Sequence, residues 1–330
     1  MYEEFEMKGW MWIGVVGVSV LGLGCAEEPS LDSGLDVESW ELQDGESSDA
    51  DLSGVLDGDD EEDVEEHDAG DEQDTGVPLC VGDRISAQAA EEMILLTEVT
   101  DQEDIYTTYE RIDGIASLFE ACGDPWGMFP TSYRHITRRG IRAIEHGEFE
   151  DEAWARRIIV DFAGRYLLNL RGALTEDSPS WAWEHYYRLA DRSDVSRTRA
   201  VVVGMVAHLT LDLPYGLVAV ETTEANKQDF FAFGEMMIEV APDFIEDLRV
   251  HYDTDAEDLL TGFFFGDWVD GAYGEDTMIT LSYQTIRTKS WNNRWFLEQW
   301  WGGWIAEGEI YSAFWAVDGV LATLDAAGTI

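Results

Sequence analysis

Between Ala26 and Pro78 the chain carries 22 Asp and Glu residues and not one Lys or Arg, densest in Asp57-Gly58-Asp59-Asp60-Glu61-Glu62-Asp63. Like charges this close repel one another, and the few apolar residues among them bury too little surface to offset the entropy of ordering the backbone. An extended, disordered spacer is expected there, and any packed body must come from Leu79 to Ile330. That length suffices for one large domain with a sizeable interior. Within the acidic stretch, Asp49-Ala50-Asp51-Leu52-Ser53-Gly54 followed by Leu56 and Asp60 approaches the ligand spacing of a calcium loop. Asp60 stands where a bidentate Glu is usual and neither flank has a helical pattern, so a solvated tether is the better reading.

The residues before the tether point to export. Gly9 to Gly24 is an apolar run of 16 residues with no basic flank after it, shorter than the roughly 20 needed to span a bilayer. Met7-Lys8 opens a normal positive start, which makes Met7 the expected initiator. The run ends in Gly22-Leu23-Gly24-Cys25, an imperfect form of the small-residue box that precedes a lipidated cysteine. The expected organisation is a lipoprotein-type signal peptide over 1–24, a lipidated Cys25 with its acidic linker over 25–78, and a helical domain over 79–330. Several acyl chains on Cys25 would hold the protein at a membrane, where one chain alone binds marginally. The expected location is the bacterial cell envelope, and Ala26 in place of Asp favours the outer membrane.

Charge narrows the partners. The whole chain has a formal net charge of -49, and from Leu79 onward 44 acids still face 19 bases. Repulsion at this level argues against nucleic acid and anionic lipid surfaces as partners and favours solubility and cationic ligands. Beyond Cys25, two cysteines remain, Cys80 and Cys122. In an oxidising compartment an even pair reads as a disulfide, here joining the entry of the domain to the end of its second helix; two buried thiols are the alternative.

From Leu79 the hydrophobic spacing is mostly helical, and an all-α architecture is predicted. Ser86 caps a first helix through Leu96. Asp101 starts a second bearing Ile105, Tyr109, Ile112, Ile115 and Phe119, and Thr131 or Ser132 opens a third that closes near Gly147. Glu152 to Leu174 forms a fourth, Ser180 to Ala190 a fifth, and Asp194 caps a sixth that runs to Pro214. Helical patterns then cover Ala225 to Tyr252 with a break at Pro242, Asp255 to Val269, and Trp291 to Leu324 with an interruption at Gly302-Gly303. Thr277 to Ile286 is ambiguous.

The sixth helix holds the candidate chemistry. Val201, Met205, His208 and Asp212 follow at steps of four, three and four, so an imidazole and a carboxylate extend an apolar stripe that faces inward. A buried carboxylate needs a partner. Asp212 is expected to accept a hydrogen bond from His208, to pair with an arginine from another helix, or to join His208 on a single divalent metal ion.

The segment Gly204-Met205-Val206-Ala207-His208-Leu209-Thr210-Leu211-Asp212-Leu213-Pro214 resembles the signature of an uncharacterised bacterial family, domain of unknown function 5995, which places Ala-His and Asp-Leu-Pro on one helix. Tyr133-Arg134-His135-Ile136-Thr137, Asp161-Phe162-Ala163-Gly164-Arg165-Tyr166-Leu167, and Arg287 with Trp291 extend the resemblance over Trp126 to Trp291. Val206 and Leu211 depart from its polar positions, which removes donors that could support a metal site. The resemblance implies a helical fold and singles out His208 and Asp212 without naming a reaction. A more distant likeness is to helical zinc hydrolases of the phospholipase C and S1 nuclease type, but this domain has only His135, His146, His185, His208 and His251 to offer.

Asp161, Tyr133, Thr137 and Arg287 are the other candidate site members. Arg287 could neutralise Asp212 or hold an anionic substrate, and each candidate has a plainer role open to it: Asp161 as an ion pair with Arg165 four residues on, Tyr133 and Thr137 as buried, satisfied hydroxyls, Arg287 as a surface cation. The tryptophan-rich tail, Trp291, Trp295, Trp300, Trp301, Trp304 and Trp315, is expected mainly to pack in the core, as is Phe263-Phe264-Phe265. Two functions are consistent with these residues. One is a lipid-anchored domain that binds an envelope component or partner; the other is a metal-dependent hydrolase with a His-x-x-x-Asp site.

Overall fold

The structure is a computed structural model that describes residues 78–100, 103–175, 177–257, 260 and 283–330. The expected signal, Cys25 with its expected lipidation, the acidic stretch, the calcium-loop look-alike and the Phe263 run lie outside the described residues. So does nearly all of the helical pattern after Asp255.

The described chain is all-α apart from one small hairpin. Strands β1 (Cys80–Val81) and β2 (Arg84–Ile85) pair antiparallel with Cys80 opposite Ile85. Gly82 takes φ +66° in the two-residue turn between them, a left-handed conformation that glycine adopts without the cost of a Cβ. The helices are α1 (Ala87–Leu96), α2 (Ile105–Cys122), α3 (Met128–Glu145), α4 (Glu152–Leu174), α5 (Trp181–Ala190) and α6 (Arg197–Ala207). After a π-helical turn at His208–Asp212 come α7 (Leu213–Ala219), α8 (Lys227–Glu239), α9 (Ala241–Tyr252), α10 (Tyr283–Glu298) and α11 (Gly303–Ala326).

Side-chain caps explain several of the starts. Ser86 accepts from Ala89 N–H at the head of α1, and Asp151 from Trp154 N–H at the head of α4, each satisfying a donor that has no partner within the helix. Three expected starts are displaced. Asp104 caps α2, with Asp101 outside the described residues. Ser196 rather than Asp194 caps α6, because Asp194 instead binds Arg192. Helix α3 begins before Thr131, since Asp124 caps the turn Pro125–Gly127 and the chain runs directly from it into Met128.

The sixth helix also continues past its expected end. Pro214 lies in the first turn of α7, so Arg197–Ala219 forms one run of 23 residues broken only by the wide turn. Proline at position 214 has no N–H for the carbonyl of Thr210. The helix relaxes into a π turn in which Leu213 N–H reaches His208 O. By length and composition this run could cross a membrane, but 83% of its apolar window is buried within the domain, which is the pattern of a central core helix.

Around it pack α4, α5, α10 and α11. Gly204 allows the approach of α5, since a Cβ there would lie 3.0 Å from the Tyr186 ring. Trp154, Trp183, Tyr166, Tyr186, Phe119 and Phe244 are fully buried, each contributing about 1.5–3 kcal/mol on leaving water. Cys80 and Cys122 are joined by a disulfide that ties the hairpin to the end of α2.

The tail corrects one expectation. Trp291 is buried and Trp315 packs against the core, but Trp295 and Trp301 are exposed, Trp304 is 74% exposed and Trp300 is 95% exposed. They surround the chain reversal at Gly302, where α10 ends and α11 begins, and helical spacing does not carry across that break.

Candidate functional site

His208 and Asp212 meet in the middle of the central helix. The wide turn keeps them adjacent, and His208 Nδ1–H donates to Asp212 Oδ2 at 2.9 Å. The same oxygen accepts the indole N–H of Trp183 from α5 at 2.8 Å. Trp183 was not among the residues selected from sequence. Its only polar group is a donor, so an inward Asp could have suggested an indole partner, but nothing in the spacing says which of 14 tryptophans supplies it.

The imidazole is enclosed by aromatic rings. Phe162 from α4 stacks on it at a centroid distance of 3.5 Å and an angle of 10°. From α3, Tyr133 and Phe129 meet it edge-on at 4.7 and 5.2 Å. Burial holds the His208 pKa below the ordinary histidine value, against the opposing hydrogen bond and charge of Asp212, with Arg165 adding to the depression. The ring is therefore neutral near pH 7, with its proton on Nδ1 as assigned from the Asp212 bond. Nε2 is then a bare acceptor, and it is buried with no hydrogen-bond partner.

The sign of the pH dependence follows. A histidine whose pKa falls on folding binds its proton more readily in the unfolded chain, so its neutral burial favours folding above the unfolded pKa and does so less as pH drops below it. Between about pH 6.5 and the lowered folded value, wild-type stability should decline on acidification by up to about 1.4 kcal/mol per pH unit. Urea titrations of the wild type and of His208→Gln across this window should show the extra slope in the wild type alone. Parallel slopes would refute the neutral buried state.

His208 borders a cavity of ≈ 80 Å³. Its walls come from α3 (Phe129, Tyr133, Thr137), α4 (Ile158, Phe162), the central helix (Met205, His208), α8 (Phe230, Phe233) and α10 (Tyr283, Arg287). Tyr133, Thr137, Arg287 and His208 thus share one space. Thr137 Oγ1 donates to the Tyr133 carbonyl at 3.0 Å. Burial raises the Tyr133 phenol well above its ordinary range, reinforced by the negative charge of Asp212, so this hydroxyl stays protonated.

Arg287 is an interior cation, 5% exposed. It donates to the Phe230 carbonyl and, at 3.3 Å, to the Tyr283 hydroxyl, and its guanidinium lies 4.3 Å from the Phe230 ring centroid. Asp161 is not part of this group. It pairs with Arg165 at 2.7 Å along α4, facing a different groove.

The other histidines have separate partners. His135 bonds Asp247 at 2.6 Å and His185 bonds Asp318 at 2.9 Å, while His146 lies at the surface. Among the described residues, no group of three or more His, Cys, Asp or Glu side chains is placed to hold a metal ion. Asp212 Oδ2 already serves two N–H donors, so His208 and Asp212 do not converge on a common ion in this arrangement.

No curated protein and no solved structure gives a significant match to the chain. The model of the family of unknown function DUF5995 does match, over residues 105–301, a span that includes every wall of the cavity and more than half of the chain. Helical over the described part of that span apart from its connecting turns, and carrying the His208-to-Pro214 signature on its central helix, the chain belongs to the family of unknown function DUF5995.

Proposed function

We propose that this protein is an envelope-anchored lipoprotein whose helical domain binds a small organic molecule in the cavity beside His208, with Nε2 as the acceptor that reads a donor on the ligand. The observation that carries this reading is the buried, unpartnered Nε2 of an imidazole whose other nitrogen is held by Asp212. An unmatched buried acceptor costs about 1–3 kcal/mol, and buried polar groups in folded proteins are nearly always satisfied. A ligand N–H or O–H would remove that cost.

Size restricts the ligand. A volume of ≈ 80 Å³ is about half that of an engineered cavity of roughly 150 Å³ that admits benzene, and well below the roughly 300–1,000 Å³ of sites for drug-sized ligands. A molecule of about five heavy atoms suits the space.

Titration with propionamide, a neutral molecule of that size with an N–H donor, tests the site. Nitrogen NMR of labelled histidine should show a saturable shift of the His208 Nε2 resonance, and calorimetry should show the binding lost in His208→Phe. Absence of a saturable response in the wild type would sink the reading. The anchor has its own measurement: Cys25→Ser should move the protein from the membrane fraction to the soluble fraction. Retention in the membrane would rule out lipid attachment at that residue.

A further inference from the structure

We propose that the ligand of this cavity is a small carboxylate whose anionic group pairs with Arg287, an inference that rests on the cavity being a binding site. Arg287 is 5% exposed, and no carboxylate among the described residues lies within ion-pair distance of it. Most other interior cations of the domain do have such partners. Arg199 binds Asp318 at 2.8 Å, Arg294 binds Glu224 at 3.0 Å, Arg134 binds Glu120 at 2.9 Å and Arg111 binds Glu103 at 2.6 Å.

A guanidinium presents five N–H donors. Arg287 uses one on the Phe230 carbonyl and one on the Tyr283 hydroxyl, and its Nε is buried without a partner. The rings of Phe230 and Tyr283, at 4.3 and 5.5 Å, attract the cation but carry no formal charge. A full positive charge is thus enclosed in a mostly apolar space with donors to spare, beside a neutral imidazole with a spare acceptor.

A carboxylate complements the first feature, since charge-assisted N–H···O⁻ bonds are about twice as strong as neutral ones. The apolar part of the ligand would contact Ile158, Phe162 and Phe233. A hydroxyl on the ligand would donate to His208 Nε2, which makes a short hydroxy acid the fullest complement. The net charge of -49 opposes an incoming anion only at long range. At physiological salt that repulsion is screened over about 8 Å, so inside the cavity Arg287 sets the local preference.

The experiment compares isosteres on the intact protein at pH 7 and constant ionic strength. Sodium propionate should bind about tenfold more tightly than propionamide, the size of a single desolvated charge-assisted contact, and lactate should bind more tightly than propionate. Arg287→Gln should bring propionate and propionamide within about twofold of each other, because the charge is gone while a side-chain N–H donor remains. Near-UV circular dichroism checks that the variant folds, and the wild-type comparison decides the matter if it does not. Propionamide binding as tightly as propionate, or more tightly, overturns the carboxylate assignment and leaves the His208 site in place. Binding of neither overturns both.

Discussion

Replacing Asp212 with alanine is expected to destabilise the domain by about 3–5 kcal/mol, as for removal of one member of a buried, hydrogen-bonded pair. The variant leaves the indole N–H of Trp183 and the Nδ1–H of His208 without an acceptor, 29 and four residues away in sequence but bonded to one oxygen. No solvent can replace it, because Trp183 is fully buried and His208 is 3% exposed. Asp212→Asn keeps one carbonyl oxygen as acceptor and should cost about half as much. Urea denaturation measures both. A loss below about 1 kcal/mol for Asp212→Ala would show that the two donors find other partners and that the carboxylate does not organise this part of the core.

Opening the Cys80–Cys122 disulfide by the double substitution to serine should cost about 4 kcal/mol by the chain-entropy relation, given its sequence separation of 42. The bridge closes a loop that contains the hairpin, α1 and most of α2. That region has other ties: Ile85 N–H donates to Asp124 Oδ2 at 3.0 Å, and Arg84 contacts the same carboxylate at 3.3 Å. Opening the loop should therefore lower the midpoint of unfolding while leaving the helical far-UV spectrum of the native state unchanged. If reduction of the wild type and the double substitution both left the midpoint within error, the crosslink would have no energetic role.

Much of the helical order was legible in the linear pattern. Glu152 to Leu174 has the same bounds in the pattern and in the fold, and Ser86 caps α1 as its spacing suggested. These features are local: a cap needs only a side-chain oxygen two or three residues before an unpaired N–H. Local rules failed where two signals compete within a few residues. Asp194 and Ser196 are both good caps, and the choice went to Ser196 once Arg192 engaged Asp194. Pro214 read as a stop, yet the surrounding core holds α6 and α7 in one line and the π turn takes up the mismatch. The hairpin at Cys80–Ile85 is too short to show a strand period.

The candidate residues divide in the same way. His208 and Asp212 could be paired from their spacing because both sit on one helical face, and Asp161 with Arg165 likewise. Tyr133, Thr137 and Arg287 reach the His208 cavity from α3 and α10, elements 71 or more residues from the imidazole. Their meeting depends on how α3 and α10 pack around the central helix, a three-dimensional arrangement on which spacing along either helix is silent. The same holds for the burial of Arg287, against which α8 brings the Phe230 carbonyl and ring.

Composition and periodicity alone therefore gave a polyanionic stretch, a helical body after it, and an imidazole and carboxylate sharing the inward side of one helix. Hydrophobic pattern and like-charge repulsion act over a few residues, so they can be read directly along the chain. The second partner of Asp212, the unpaired Nε2, the cavity beside it and the interior charge of Arg287 emerged from the packing of helices distant in sequence. Which buried polar groups find partners depends on the simultaneous position of all those helices, and no local rule carries that information.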